Sequence, residues 1–187
     1  MNTSEAVALI KGAVPKRGGT WADLGAGNGT FTRALAELLG PASRIYAIDR
    51  DPAAVTALGR WSATHAPHVI PVEADFTRPL DVPGLSESAL DGMLLANALH
   101  FVRDADTVLA RLVTLLRPGG RVVLVEYDQR AASRWVPYPI PAARLPSLAA
   151  AAGLSPPVVT ATRPSAYAGI LYAAATERIS AGVRLIR

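Results

Sequence analysis

The strongest structural signal in this sequence is the stretch Asp23-Leu24-Gly25-Ala26-Gly27-Asn28-Gly29. It follows the apolar pair Trp21-Ala22 and precedes a run with a helical period of apolar residues, from Phe31 to Leu39. We therefore predict that it joins a buried strand to a helix. Glycines at alternate positions let the backbone turn tightly and approach a ligand closely, although a plain turn would use them as well.

Strands and helices alternate on both sides of this turn. Strands are predicted at 21–24, 44–49, 69–73, 91–97 and 121–127, and helices at 3–12, 30–39, 52–64 and from Asp104 or Asp106 to Leu116. Such alternation indicates a parallel sheet covered on both faces. After Tyr127 the pattern changes to an irregular stretch, a small helix at about 142–152, and two further strands at 158–162 and 170–176.

The amino-acid composition indicates a globular domain and excludes several kinds of site. The chain has 187 residues, of which half are hydrophobic and 18% are charged, so we expect residues 1–187 to form a single domain. It has no cysteine, which excludes disulfides, zinc–thiolate sites, iron–sulfur clusters and thiol nucleophiles and fits a cytoplasmic location. No apolar run approaches the ~20 residues of a membrane span, and the first residues do not form a signal peptide.

Charge is unevenly distributed. Residues 1–116 hold 10 Lys/Arg and 12 Asp/Glu, whereas residues 117–187 hold 9 Arg and 3 acids. The basic C-terminal part could attract an anionic partner, or it could be a solvated arginine-rich surface. The second interpretation is favoured because no basic run and no basic–aromatic interleaving occurs there.

Two further acids follow predicted strands. Asp49 ends the second strand, 20 residues after Gly29, where a carboxylate can accept hydrogen bonds from ribose hydroxyls. Asp75 follows the third strand beside Phe76, so it could accept from an exocyclic amino group while the ring covers a base. Each acid alone could be a turn residue or a helix cap. Together with Asp23, they favour a ligand site at the ends of successive strands.

The same residues restrict the chemical class of ligand that could bind here. Three acids would repel a pyrophosphate, and they suit a ligand with a ribose, an amino group and a positive centre. The third glycine comes one residue sooner than in the dinucleotide pattern Gly-x-Gly-x-x-Gly, and no Lys-Ser/Thr follows, so a triphosphate loop is excluded. Lys11 and Lys16 are the only lysines, which argues against an oxidoreductase with a Tyr-x-x-x-Lys pair. No metal site is predicted.

Further motifs continue the pattern in order: Ala74-Asp75-Phe76, Asn97-Ala98-Leu99-His100 and Leu116-Arg117-Pro118-Gly119-Gly120. With the glycine turn and Asp49, they resemble those of class I S-adenosylmethionine-dependent methyltransferases, and most closely the small-molecule branch that includes quinone C-methyltransferases. The resemblance covers about residues 18–128, and more loosely 135–139 and 163–167. It implies an α/β fold, Rossmann-like, with a doubly wound sheet of seven mostly parallel strands ordered 3-2-1-4-5-7-6, the last antiparallel, and helices on both faces.

The resemblance also implies S-adenosyl-L-methionine as cofactor. The residues expected to contact it are Asp23, Gly25, Ala26, Gly27, Asn28, Gly29, Asp49, Arg50, Asp75, Phe76, Asn97 and Ala98. In this scheme the glycine turn lies against the methionine part, with Asp23 near its amino end. Asp49 holds the ribose and Asp75 faces the adenine amino group, while Asn97 and Ala98 border the sulfonium and the acceptor.

The reaction implied is methyl transfer by in-line displacement, with the acceptor held and desolvated. A base is needed only if the acceptor must lose a proton. His100 and Tyr127 are the candidates, and each could instead form part of the pocket wall. Trp135 and Tyr138 are expected to line or cover the acceptor site, or else to pack the tail.

A small organic acceptor is the leading expectation. Two alternatives stay open: methylation of RNA or protein, which the basic tail supports, and a non-catalytic cofactor-binding partner subunit. Nucleic acid is the less favoured partner, and no membrane partner is expected. The elements that would cover the acceptor are short. Three explanations stay open: residues 1–16 and 129–145 suffice as lids, a homo-oligomer or other partner completes the site, or the acceptor is large.

Overall fold

The strands and helices are those of a computed structural model, which describes residues 1–14, 18–165 and 169–180. The strands are β1 Gly19–Leu24, β2 Ser43–Asp49, β3 Val69–Glu73, β4 Leu90–Ala96, β5 Leu116–Asp128, β6 Val158–Pro164 and β7 Ile170–Glu177. The helices are α1 Thr3–Ile10, α2 Thr30–Leu39, α3 Pro52–His65, α4 Ala105–Val113 and α5 Leu145–Ala151, with short 3₁₀ turns at Leu99–Phe101 and Ala142–Arg144. Lys16, in the predicted N-terminal lid, and Tyr167, in the predicted 163–167 motif, lie outside the described residues.

All seven strands form one sheet in the order β3-β2-β1-β4-β5-β7-β6. Pairing is parallel from β3 to β5, and β7 runs antiparallel to both β5 and β6. This is the predicted doubly wound fold with the predicted strand order, which is thereby confirmed. Because β1 and β4 are neighbours whose chains lead to opposite halves of the sheet, a crevice opens at their carboxyl ends.

Local signals set the bounds of α2 and α3. Helix α2 lies between Gly29, at φ 80°, and Gly40, at φ 74°, and both are in the left-handed region that glycine tolerates. Helix α3 begins at Pro52 after Asp51, whose side chain accepts from Ala53 N. These bounds agree with the sequence prediction to within one residue.

Two predicted helix ends were wrong. Helix α1 begins at Thr3 as predicted, where Asn2 and Glu5 form a reciprocal capping box, but it ends at Ile10 and not at residue 12. Helix α4 ends at Val113 and does not reach Leu116. Leu116 begins β5 and pairs with Leu90, so contact with a neighbouring strand overrides the helical propensity.

Apolar side chains pack on both faces of the sheet. Ala22 and Leu24 belong to the core cluster that α4 and α5 cover, whereas Trp21 belongs to the cluster that α1 and α2 cover. This alternation is the expected result of strand geometry. None of the described helices is long and apolar enough to cross a membrane. The two cores hold the carboxyl ends of β1, β2, β4 and β5 at a single edge.

Candidate functional site

Two adjacent cavities open at this edge of the sheet. The first, here called the glycine-turn cavity, has a volume of about 400 Å³ and is lined by Gly25, Gly27, Asp49, Arg50, Ala74, Asp75, Phe76, Thr77, Asn97, Ala98, Phe101 and Val102. The second, the histidine cavity, has a volume of about 500 Å³ and is lined by Asn97, His100, Phe101, Tyr127, Arg130, Trp135 and Val136. Asn97 and Phe101 border both cavities, so a ligand in one can meet a ligand in the other.

Backbone hydrogen bonds fix the glycine turn to the end of β2. The N–H groups of Gly25 and Ala26 both donate to the carbonyl of Ile48, at 2.8 and 3.0 Å, and Gly27 N donates to Asp49 Oδ2 at 2.7 Å. Gly25 has φ +81°, and a Cβ there would lie 2.7 Å from the Cβ of Ala98. A Cβ on Gly27 would contact no described atom within 4 Å, which leaves room for a ligand.

Asp49 and Asp75 present carboxylates to this cavity. Asp49 also accepts from Asp51 N at 2.9 Å, yet a carboxylate has about four lone-pair sites, so capacity remains for a ligand hydroxyl. Asp75 Oδ1 accepts from the backbone N and the hydroxyl of Thr77, at 2.9 and 2.7 Å. The hydroxyl bond is the main reason why the pKa of Asp75 is lowered, so Asp75 is ionised at neutral pH.

Two buried oxygens beside this cavity lack a donor. Asp23 lies at the end of β1, and its Oδ2 accepts from the Thr32 hydroxyl at 2.6 Å, but its Oδ1 has no hydrogen-bond partner among the described residues. Burial raises the pKa of Asp23 to about 7. The Oδ1 of Asn97 also lacks a partner within the described ranges, and Asn97 has φ 54°, in the left-handed region. An unpaired buried acceptor costs about 1–3 kcal/mol, which a donor on a ligand would recover.

A buried carboxylate supports His100 from behind the histidine cavity. Glu126, near the end of β5, is fully buried, and its Oε1 accepts from the N–H groups of Leu99 and His100, both at 3.1 Å. Its Oε2 lies 2.6 Å from His100 Nδ1. Because a carboxylate only accepts, we assign the proton to Nδ1, and Nε2 is then the ring nitrogen that serves the cavity.

Sequence reasoning missed Glu126. It is an acid directly after the apolar run Val122–Val125. An acid inside a buried strand indicates that a hydrogen-bond or ion-pair partner lies nearby in the fold. The partner, however, is 26 residues away in the chain, and only the parallel pairing of β4 with β5 brings the two together.

Aromatic rings form the rest of the histidine cavity. The rings of Phe101 and Tyr127 have centroids 4.4 and 5.9 Å from that of His100, and the guanidinium carbon of Arg130 lies 4.5 Å from the Tyr127 centroid. Trp135 also lines the cavity, and 63% of its surface is exposed; its role as a covering residue stays a prediction.

Tyr138 packs beside the histidine cavity, which is one of the two placements that the sequence left open. It is not among the described residues that line the histidine cavity. Its backbone N donates to the His100 carbonyl at 3.0 Å, and its hydroxyl accepts from Arg103 Nε at 3.2 Å. Tyr138 therefore fixes the turn that carries His100, because a main-chain bond holds that turn against the 129–141 segment.

The structure gathers most of the predicted site residues. Eight of the twelve predicted cofactor residues line the glycine-turn cavity, and both catalytic candidates, His100 and Tyr127, line the histidine cavity. Four are outside the described lining: Asp23 and Ala26 are buried, Gly29 caps α2, and Asn28 is exposed and accepts from Thr30. The contacts of all twelve with a cofactor stay predictions.

The sheet order and the paired cavities define the fold class of the class I S-adenosylmethionine-dependent methyltransferases. A family model described as a methyltransferase domain matches residues 22–122, which is more than half of the chain. The chain belongs to this methyltransferase-domain family.

Relatives and solved structures agree with this assignment. A probable cobalt-precorrin-6B C(15)-methyltransferase (decarboxylating) of Pyrobaculum aerophilum is 33% identical over 119 residues, covering 59% of this chain and 60% of its own. The reducing polyketide synthase grgA of a Penicillium species is 33% identical over 110 residues, 56% of this chain but 4% of the synthase. The Burkholderia thailandensis 1,6-didemethyltoxoflavin-N1-methyltransferase, with bound S-adenosylhomocysteine, has 25% identity and a TM-score of 0.72, covering 95% of this chain and 78% of its own.

The hydrogen-bond acceptors of the glycine-turn cavity fit the cofactor that this class uses, S-adenosylmethionine. The carboxylates of Asp49 and Asp75 suit hydroxyl and amino donors, and the unpaired oxygen of Asn97 lies where the cavities meet. The described residues contain no group of three or more His, Asp or Glu that could hold a metal ion.

Proposed function

We propose that this chain transfers a methyl group to a small organic acceptor, bound in the histidine cavity, at an atom that must lose a proton. The observation that carries the proposal is the His100–Glu126 pair in the wall of a cavity that meets the glycine-turn cavity at Asn97. A volume of about 500 Å³ falls within the usual range of small-molecule sites.

Binding of the cofactor is assigned to the glycine-turn cavity. When bound there, S-adenosylmethionine supplies an electrophilic methyl group. Asp49 would hold the ribose hydroxyls and Asp75 the adenine amino group, while Phe76 covers the ring. Asn97 and Phe101 border both cavities, so they can orient the acceptor toward the cofactor.

Removal of the acceptor's proton is assigned to His100. Glu126 accepts from Nδ1 and so fixes the tautomer in which Nε2 carries the lone pair. The proton of an acidic O–H or C–H group moves to Nε2, and the positive imidazolium is then stabilised by the carboxylate behind it. The two backbone N–H groups that hold Glu126 Oε1 keep this carboxylate in place.

Tyr127 is the second candidate for a proton carrier. Its ring centroid lies 5.9 Å from that of His100, and it lines the same cavity. Comparison of Tyr127→Phe with His100→Ala separates the two roles. We expect Tyr127→Phe to keep turnover within a few-fold, because His100 is the residue that pairs with Glu126 through its ring.

The relatives support a small acceptor. The Burkholderia thailandensis protein named above is a 1,6-didemethyltoxoflavin-N1-methyltransferase, and its structure holds 1,6-didemethyltoxoflavin beside S-adenosylhomocysteine. A structure described as the CurJ carbon methyltransferase has a TM-score of 0.73 over 91% of this chain and 51% of its own, at 20% identity, which shows a shared fold.

The test is transfer of labelled methyl from S-adenosylmethionine to a panel of phenols, quinols, amines and carboxylates, with total RNA and protein as parallel acceptors. We expect labelled small molecules, foremost those with an acidic proton, and stoichiometric S-adenosylhomocysteine. Label in RNA or protein alone would replace the proposal with the macromolecular alternative. Cofactor binding with no transfer to any acceptor would favour a non-catalytic subunit.

A further inference from the structure

We infer that the methyl acceptor carries a flat aromatic ring, and that Trp135, on the rim of the histidine cavity, selects for this ring. The inference rests on the proposed function, because it concerns the acceptor side of that site. It gives Trp135 the part of the acceptor that does not react, while His100 acts on the group that loses its proton.

Exposed aromatic side chains mark the mouth of this cavity. Within the described ranges six large hydrophobic side chains are exposed, and the two aromatic ones, Phe101 and Trp135, are 52% and 63% exposed and both line the histidine cavity. The other four are not aromatic, and none is in the described lining of either cavity: Met1, Val158, Val159 and Ile179. Apolar surface left in water beside a cavity is typical of a ligand-binding site. We therefore take these two rings as surfaces that a bound acceptor covers.

A short turn holds Trp135 in place. Ser133 and Val136 exchange two backbone hydrogen bonds, both of 3.1 Å, and Val136 N also donates to Ser133 Oγ at 3.2 Å. Val136 is only 2% exposed, so it anchors the turn in the protein. The Arg134 guanidinium stacks on one face of the indole, with its central carbon 4.5 Å from the ring centroid. The rest of this ordered ring is accessible, and a ring held in place before binding adds contact area at a small cost in entropy.

The inner wall of the cavity offers further aromatic surface. The rings of Phe101 and Tyr127 lie 4.4 and 5.9 Å, centroid to centroid, from the ring of His100. With Trp135, four of the seven described lining residues therefore carry an aromatic ring. A flat aromatic ligand gains from such contacts beyond the apolar area that it buries, because ring pairs have favourable electrostatic arrangements. A flexible aliphatic chain would bury area without this gain and would lose more conformational entropy.

The chemistry proposed for His100 favours the same class of acceptor. An imidazole is a mild base, so the proton that it removes must come from a fairly acidic group. A hydroxyl on an aromatic ring ionises with an ordinary pKa of about 10, because the ring delocalises the charge, whereas an alkyl hydroxyl is far less acidic. His100, with Glu126 behind its Nδ1, therefore suits an aromatic hydroxyl or another ring-activated proton.

Trp61 provides a matched control elsewhere on the surface. It also carries a stacked guanidinium, that of Arg33, at 5.0 Å from the ring centroid. It lies in α3 and is not among the described lining residues of either cavity. Substitution of either tryptophan by leucine removes an indole on which an arginine stacks, so a difference between the two variants reports contact with the acceptor. Trp135→Phe keeps a ring at the cavity and is the conservative variant.

The experiment measures binding by titration calorimetry to protein saturated with S-adenosylhomocysteine. The probes are 2-naphthol and phenol, each beside the saturated alcohol with the same carbon skeleton, decahydro-2-naphthol or cyclohexanol. We expect the wild type to prefer the aromatic member of each pair by about 10-fold or more. Trp135→Leu should lose about 3- to 10-fold in affinity for the aromatic probes, while the affinity for the saturated probes changes less than about 2-fold.

Trp61→Leu should match the wild type, Trp135→Phe should stay within about 2-fold of it, and all three variants should keep the wild-type affinity for S-adenosylhomocysteine. Equal affinity of the wild type for aromatic and saturated probes would overturn the inference, as would equal losses in the two leucine variants or failure of both aromatic probes to bind. Methyl transfer to non-aromatic acceptors alone would retain the proposed function and reject this inference. Ring-selective binding that Trp135→Leu weakens, without transfer to any small molecule, would reject the proposed function and retain the ring site.

Discussion

Two buried carboxyl groups at the same edge of the sheet are held in opposite ways. Asp23, at the end of β1, has one oxygen bonded to Thr32 and another without a partner among the described residues, and burial raises its pKa to about 7. Glu126, near the end of β5, has both oxygens occupied by two backbone N–H groups and the imidazole of His100.

The difference distinguishes the two halves of the site. On the acceptor side the chain supplies all the partners of its buried acid, so the base is assembled before any ligand binds. On the cofactor side Asn97, which lines the cavity, has an unpaired oxygen that a donor on a ligand can reach, whereas the unpaired oxygen of Asp23 is buried behind the described lining. We therefore expect substitutions on the acceptor side to change turnover, and substitutions on the cofactor side to change affinity and stability.

The largest effect is expected at His100. His100→Ala removes the proposed base, so turnover on a phenolic acceptor should fall by about 100- to 10,000-fold while affinity for S-adenosylhomocysteine stays nearly constant. His65→Ala, on the exposed surface of α3, is the control and should behave as the wild type. Full activity of His100→Ala on a phenol would remove the base role, because a phenol is an acceptor that needs deprotonation.

Asp23 should make stability depend on pH. Its pKa is about 7 in the fold against 3.8 for the unperturbed group, so between about pH 4 and 7 the folded chain binds more protons than the unfolded chain. The free energy of unfolding should then decrease with rising pH by about 4 kcal/mol from this group, and level off above pH 7.

Asp23→Asn should remove this slope, as measured by urea unfolding at pH 5 and pH 8. The change of the unfolding free energy with pH is compared, and not its value at one pH, because the asparagine amide can also change the absolute stability. Asp81→Asn, at an exposed position, should keep the wild-type slope. A wild-type slope in Asp23→Asn would show that the buried acid is ionised throughout this range.

Asp49 tests the cofactor side by affinity. Loss of two charge-assisted hydrogen bonds to ribose should cost roughly 2–4 kcal/mol, so Asp49→Ala should weaken binding of S-adenosylhomocysteine by about 30- to 1000-fold. Asp51→Ala is the control, because it removes the α3 cap and about 1 kcal/mol of stability but no predicted ligand contact. If titration calorimetry gives equal affinities for Asp49→Ala and the wild type, Asp49 does not bind the ribose.

Glu126→Gln gives the smallest expected effect and tests whether Glu126 acts through His100. The amide oxygen can still accept from Leu99 and His100, but the amide nitrogen would face Nδ1 and favour the tautomer with the proton on Nε2. We expect about a 10- to 100-fold lower kcat with unchanged cofactor affinity. The double variant His100→Ala/Glu126→Gln should be no slower than His100→Ala; additive losses would indicate an independent role.

The residues of the cofactor side could be predicted from the sequence more completely than those of the acceptor side. The bounds of α2 follow from Gly29 and Gly40, and Asp49 and Asp75 are found by counting from predicted strand ends, because these signals are local. The acceptor side depends on contacts between distant segments: Glu126 meets His100 across two strands, and Tyr138 packs on Arg103 rather than in the cavity. The wrong end of α4 has the same origin, since pairing with Leu90 draws Leu116 into β5.

If the two cavities are the cofactor and acceptor sides of one site, a crystal structure with S-adenosylhomocysteine will show both. We expect the ribose at Asp49, the adenine between Asp75 and Phe76, and the sulfur at Asn97, facing an open cavity bounded by His100 and Arg130. A ligand bound elsewhere, or a sulfur that faces away from the histidine cavity, would show that the two cavities do not form one site.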